Sequence, residues 1–254
     1  MFRFTLRRPL LAPTFNLAVT SLRLAILFLL CLGSATKAAE PVSADEEADE
    51  EEALETLVVT AHRTPIPLSQ AGSTVSVLDE IQITERQQVF AADLLRDLPG
   101  VSLSRTSTNG SLTQVRVRGA EANHLLVVID GVEVNDPASG DEFNFGSLTN
   151  YDIASIELVR GPQSALWGSD AMAGILNITT RKSTEPLSAG AFLEGGSFGT
   201  LSGGGRLGIA NDRGNLTFNA SRYETDGVSA AASGREKDGY ENTTLGLNGR
   251  YQIT

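Results

Sequence analysis

Cysteine is almost missing from this 254-residue chain: its one thiol, Cys31, lies in an apolar stretch near the N-terminus. No disulfide framework can be built from it. Histidine is nearly as scarce, with only His62 and His124, and two isolated imidazoles do not make a metal cluster. Aromatic residues amount to 6% of the chain, and its one tryptophan is Trp167. Long hydrophobic runs are absent too. The longest, Leu24–Leu32, has nine residues, well short of the roughly 20 that a membrane-spanning helix needs.

Basic charge is in short supply where it could matter. Residues 1–39 contain no acid and carry Arg3, Arg7, Arg8, Arg23 and Lys37, with the nine-residue apolar core and then small residues behind the arginines. This is the pattern of a secretory signal peptide cleaved near Ala38 or Ala39. Without it, 15 basic residues face 31 acidic ones, a net charge of −16, and the thiol is gone. Nucleic acid is excluded as a natural partner by that balance.

Behind the signal peptide lie a leash and a strand. Residues 40–54 are an acidic linker, and Asp45–Glu52 is a like-charged block that repels itself and stays solvated. Next comes Glu55, Thr56, Leu57, Val58, Val59, Thr60 and Ala61, whose β-branched residues favour extended backbone. Such a strand either begins the following domain or adds to the sheet edge of another protein. Composition leaves both open.

Residues 62–183 read as a compact α+β domain. Strands are predicted at Ser73–Leu78, Val101–Ser104, Gln114–Arg118, Leu125–Ile129 and Ile156–Val159, with turns at Asn109–Gly110 and Asp130–Gly131. The second turn closes a hairpin onto Val132–Val134. One helix is predicted, capped by Thr84, running through Val89, Phe90, Leu94 and Leu95 and ended by Pro99–Gly100. Gly100, Gly119, Gly131, Gly161 and Gly168 stand at predicted strand ends, where positive φ is expected.

Residues 184–254 alternate apolar and polar along whole segments: Leu187–Gly195, Leu201–Ile209, Asn215–Ser221 and Thr244–Ile253. Either a soluble sheet with one wet face or a transmembrane barrel produces this pattern. The short link at Asn211–Gly214 and the long one at Thr225–Tyr240 favour the barrel, which alternates short inner turns with long outer loops.

Two enzyme-like motifs fail in context. Ser197 sits in G-x-S-x-G, but both histidines precede it and no helix follows. Gly203, Gly205 and Gly208 spell a dinucleotide fingerprint inside an alternating strand, where a helix N-terminus is required. No catalytic constellation remains, and an enzyme is not expected.

Four blocks, in order, carry a resemblance: Leu98–Val101; Val115–Gly119; Leu125–Val132; and Ile156–Thr179 with its Arg-Gly-Pro-Gln-Ser-Ala-Leu-Trp-Gly-Ser-Asp-Ala core. Together they resemble the plug domain of TonB-dependent outer-membrane receptors, and Glu55–Ala61 resembles the TonB box of that family. Its wording, with Gly168–Ala171, is similar to the vitamin B12 (cobalamin) subfamily. The resemblance implies an α+β plug followed by the first strands of an antiparallel transmembrane β-barrel. It implies uptake of a scarce nutrient, a corrinoid first and a ferric siderophore or haem second. A soluble periplasmic binding or signalling module is the rival of another class.

The implied partners are TonB with its inner-membrane energising complex, the nutrient, and outer-membrane lipid. The implied location is the outer membrane of a Gram-negative bacterium, plug and box facing the periplasm. Four strands cannot close the family's 22-stranded barrel, so a fragment of a longer chain, or a shortened protein, is expected. Arg118 and Arg160 match arginines that dock the plug to barrel glutamates. Apical plug loops would meet substrate through Arg105, Ser107, Asn109, Ser111, Asn135, Phe143 and Phe145. No cofactor is required; calcium could be held by Asp226, Glu236 and Asp238 in the long loop.

Overall fold

The computed structural model describes Leu57, Val58, Thr60 and residues 66–253. The signal peptide, the acidic linker and Glu55, Thr56, Val59 and Ala61 of the predicted box lie outside these described residues.

Leu125–Ile129 is the centre of the first domain, because five consecutive apolar residues can be buried only if both faces of their strand are covered. This strand (β6) sits within a five-stranded sheet with β3 (Thr74–Leu78), β7 (Val132–Glu133), β8 (Ile153–Arg160) and β9 (Gly174–Thr180), in the spatial order β3-β8-β9-β6-β7. β6 and β9 run parallel and the other neighbours antiparallel. Leu125 and Val127 enter one core with Ile156, Leu158, Leu176 and Ile178; Leu126 and Val128 enter a second with Val159 and Ile175. The first core is closed by α1 (Glu80–Glu85), α2 (Ala91–Leu95) and the hairpin of β4 (Val101–Arg105) and β5 (Thr113–Val117). Ala71, Val75 and Trp167 cover the second, the last from the short helix α3 (Ser164–Trp167).

The single helix predicted from Thr84 is two helices. Asp79 directly follows β3 and accepts from Gln82 N–H at 2.8 Å, so it caps α1, while the Thr84 hydroxyl bonds back to the Glu80 carbonyl inside the helix. The chain then breaks at Gln87 (φ 49°). The second helix starts where Ala91 N–H bonds the Leu148 carbonyl. The 130–131 hairpin is as predicted: Ile129 pairs with Val132, and Asp130 (φ 49°) and Gly131 (φ 85°) both take the left-handed conformation of a primed turn. All five glycines singled out have positive φ, but Gly168 ends α3 and not a strand.

After Pro186 come β10 (Ser188–Gly195), β11 (Leu201–Asn211), β12 (Gly214–Thr225) and β13 (Tyr240–Tyr251), an antiparallel meander of 8, 11, 12 and 12 residues that forms an open sheet, not a closed barrel. Its orientation separates the two architectures left open by the alternation. A soluble sheet turns its apolar face inward; here Thr217 (1% exposed) and Asn219 (9%) face the plug, and Leu245 (70%) and Leu247 (72%) face away. This inversion is the arrangement of a membrane barrel wall. The strands also approach the ~10 residues that a tilted membrane strand needs.

Candidate functional site

Three places on the plug connect it to something else. The first is the segment predicted to bind a partner. Leu57–Val58 (β1) forms a two-residue antiparallel ladder with Ile66–Pro67 (β2). Two residues beyond Val58, Thr60 is buried against the second core. Glu157, in the middle of β8 and 7% exposed, accepts from the Thr60 N–H at 3.0 Å and from its hydroxyl at 2.5 Å. Trp167 Nε1–H donates to the Thr60 carbonyl at 3.0 Å. The alternation of β8 explains the site: Ile156 and Leu158 point to the first core, so Glu157 points to the second, on the side covered by α3. A carboxylate there is costly unless donors reach it, and Thr60 supplies two. Leu57, Val58 and Thr60 of the predicted box are thus bonded within their own chain.

The second place is the outer end of the plug. Arg105 ends β4, pairs with Asp93 at 3.2 Å and lies 6.0 Å above the Phe90 ring. Its loop, 106–112, is braced internally: Ser107 N–H bonds Ser111 Oγ, and that hydroxyl donates to the Thr108 carbonyl. Asn109 Nδ2 reaches Tyr223 Oη of the barrel sheet at 3.2 Å. Two other expected contact residues do not face outward. Phe145 is 2% exposed within the first core, with Phe143 edge-on at 4.7 Å. Asn135 uses its amide on the Val127 N–H and on the Leu125 and Asp141 carbonyls. Both residues brace the plug.

The third place is the seam between plug and sheet. Tyr151 stacks on Phe192 at 4.3 Å and bonds Ser202 Oγ; Asn219 Nδ2 donates to Asp152 Oδ2 at 2.6 Å; Asn248 Nδ2 donates to Asp130 Oδ2 at 3.0 Å. Asp152 lines a cavity of about 420 Å³ with Arg181 and Arg206, and its Oδ1 is buried without a hydrogen-bond partner. Burial pushes its carboxyl up to about 6, against the opposing pull of Arg206 and Arg181. Sequence reasoning missed these contacts. It identified the polar face of each strand, but not which plug residue each would meet.

The predicted docking arginines lie side by side. Arg160 is 8% exposed and donates to the Pro99 carbonyl and, at 2.7 Å, to Ser76 Oγ. Arg118 (φ 52°) is exposed and donates to Thr74 Oγ1 at 3.4 Å. Burial, and then Arg118, push the Arg160 guanidinium below its usual range. Among the described residues neither has an acidic partner. The three loop acids proposed for calcium do not converge: Asp226 pairs with Lys237 at 2.6 Å, Glu236 accepts from Ser229 and Asp238 from the Ala230 N–H. Among the described residues no cluster of three ligating side chains exists.

Comparison with known proteins places this arrangement. The family model described as the TonB-dependent Receptor Plug Domain matches residues 67–175. The chain is 32% identical over 209 residues to the vitamin B12 transporter BtuB of Vibrio vulnificus (strain YJ016), covering 81% of this chain and 34% of the relative. It is 33% identical over 221 residues to the vitamin B12 transporter BtuB of Photobacterium profundum, covering 85% and 34%. The chain therefore spans about a third of the length of these relatives.

Among solved structures, the siderophore receptor PirA from Acinetobacter baumannii superposes with a TM-score of 0.57 at 23% identity, over 71% of this chain and 29% of that one. The ferric yersiniabactin uptake receptor FyuA from Yersinia pestis gives 0.55 at 21%, over 71% and 29%. These two show the shared fold. With this plug, and with barrel-wall strands behind it, the chain belongs to the TonB-dependent receptor family.

Proposed function

We propose that the protein is an energy-coupled receptor of the outer membrane that takes up vitamin B12 or another corrinoid. The observation that carries the reading is the seat of Thr60. In a segment resembling a TonB box, Thr60 bonds Glu157 and Trp167 beside a two-residue ladder. Hydrogen bonds to a charged group contribute about 1.5–3 kcal/mol each, a scale on which the Thr60 contacts can be exchanged for contacts with a partner strand. Ligand on the apical loops shifts the balance toward release, TonB pairs with the freed strand by β-addition, and its energising complex supplies the work that remodels the plug. The plug and residues 55–61 face the periplasm, and the apolar face of β10–β13 meets lipid. The same face argues against a soluble periplasmic module, and cell fractionation separates the two.

The curated relatives named above support the corrinoid. A ferric siderophore is the second reading, favoured by the solved structures that share the fold. Purified receptor titrated with cyanocobalamin and with a ferric catecholate distinguishes them: saturable binding of only the second would reject the corrinoid. Deleting residues 55–61 from the native gene tests the coupling. Uptake of labelled ligand should be lost while binding at the cell surface persists, and unimpaired uptake would sink the mechanism.

A further inference from the structure

The plug's outer loop is seated on two tyrosines of the barrel sheet. Asn109 donates to Tyr223 Oη at 3.2 Å. Gly110 (φ 81°) lies against the ring of Tyr240: a Cβ at this position would stand 2.0, 2.3 and 2.8 Å from three atoms of that ring. The two rings are 6.2 Å apart, and each also meets Phe90 of the plug, at 5.5 and 6.0 Å. Phe90 in turn carries Arg105, the residue from which the loop departs. The tyrosines stand on neighbouring strands at the root of the 226–239 loop, where Tyr223 pairs with Asn242 and Thr225 with Tyr240. Asn242 completes the arrangement, donating to Tyr240 Oη at 2.9 Å and to the plug's Ser147 carbonyl at 3.2 Å.

The internal braces of loop 106–112 set its shape but not its direction. A braced loop can still swing as a unit about its ends at Arg105 and Thr113. The Ser111 end of the loop packs against Gly146 within the plug, while its tip at Asn109 and Gly110 is directed by Tyr223 and Tyr240, far along the chain from the loop. Those contacts also join the plug loop to the base of the long loop above the sheet.

We propose that Tyr223 and Tyr240 are positioning residues for uptake: they clamp loop 106–112 to the barrel wall, so that ligand meets the plug loop and the root of the 226–239 loop as one preorganised surface. The inference rests on the reading that loop 106–112 faces the ligand. Preorganisation raises affinity by removing the cost of ordering the loop on binding.

The test uses the receptor expressed from its native gene. Ser107, exposed in the loop, is replaced by cysteine and labelled with a nitroxide, and its mobility is read without ligand in the parent, Tyr223→Phe, Asn109→Ala and Gly110→Ala backgrounds. All three should raise mobility. Tyr223→Phe combined with Asn109→Ala should add nothing to either alone, because both remove the same bond. Outer-membrane insertion of Tyr223→Phe, which keeps the ring, controls for misfolding. Affinity for cyanocobalamin should fall about fivefold in Tyr223→Phe, the loss expected for one ordinary hydrogen bond.

Unchanged mobility overturns the clamp. So does raised mobility with unchanged affinity for a ligand that the parent binds. If the parent binds no cyanocobalamin, the corrinoid reading fails separately, and the affinity arm is read with a ferric catecholate while the mobility result stands.

Discussion

Asp152 carries a partly buried carboxyl whose Oδ1 has no partner and whose acidity is weakened by its surroundings. The native state holds this proton more tightly than an unfolded chain with an ordinary value of 3.8. The linked stability is fully present below about pH 4 and is lost as pH rises through about 6. Asp152→Asn keeps an acceptor for Asn219 and removes the titration. It should flatten the dependence of thermal unfolding on pH between these limits and raise Tm near neutrality; a lower Tm there would contradict the assignment. At Thr60 the residue-scale prediction runs the other way. Trp167→Phe removes a donor and Glu157→Gln removes the charge, and each should increase the mobility of a nitroxide at Val58→Cys. Equal mobility in parent and variants would show that the segment is held by something else.

At the scale of elements, local reading finds most plug strands but not β9, and it merges two helices into one. β6 is legible because a run of five apolar residues has few alternatives, and the Asp130–Gly131 turn because both residues accept positive φ. The helix start is ambiguous because Thr84 and Asp79 are both good caps. The choice depends on where β3 ends, and β3 ends at Leu78 because its ladder with β8 does. Asp79→Ala should therefore cost about 1 kcal/mol in denaturant unfolding, whereas Thr84→Ala should cost much less. At Gly174 a methyl would stand 2.3 Å from the Val159 carbonyl, so β9 could not keep its approach to β8. Gly174→Ala should lower stability more than the loss of the cap.

At the scale of the molecule, the sheet β10–β13 turns its apolar side away from the plug. Arginine at Leu247, on that side, should impair insertion by about 2–4 kcal/mol if the site is near the bilayer midplane. Arginine at Thr244, on the plug side, should leave insertion intact, as judged by heat-modifiable migration of the outer-membrane protein. Equal effects at the two positions would argue against a lipid-facing wall.

The sequence alone determined most of the strands, their two-residue period, the turns and the order of the plug blocks, because these are set by neighbours along the chain; it did not mark β9 (Gly174–Thr180), which is placed by its pairing with β8 and β6. It also marked Glu55–Ala61 as strand-prone, a property of β-branched backbone that needs no partner. Only the tertiary structure decided that Thr60 rests on Glu157 and Trp167, that Phe145 and Asn135 serve the plug's interior, and that Tyr223 meets Asn109. Each of these joins residues that local pattern cannot relate, since alternation specifies which face a side chain takes but not what stands opposite it. The direction of the apolar face was decided in the same way, by the plug that occupies the other side.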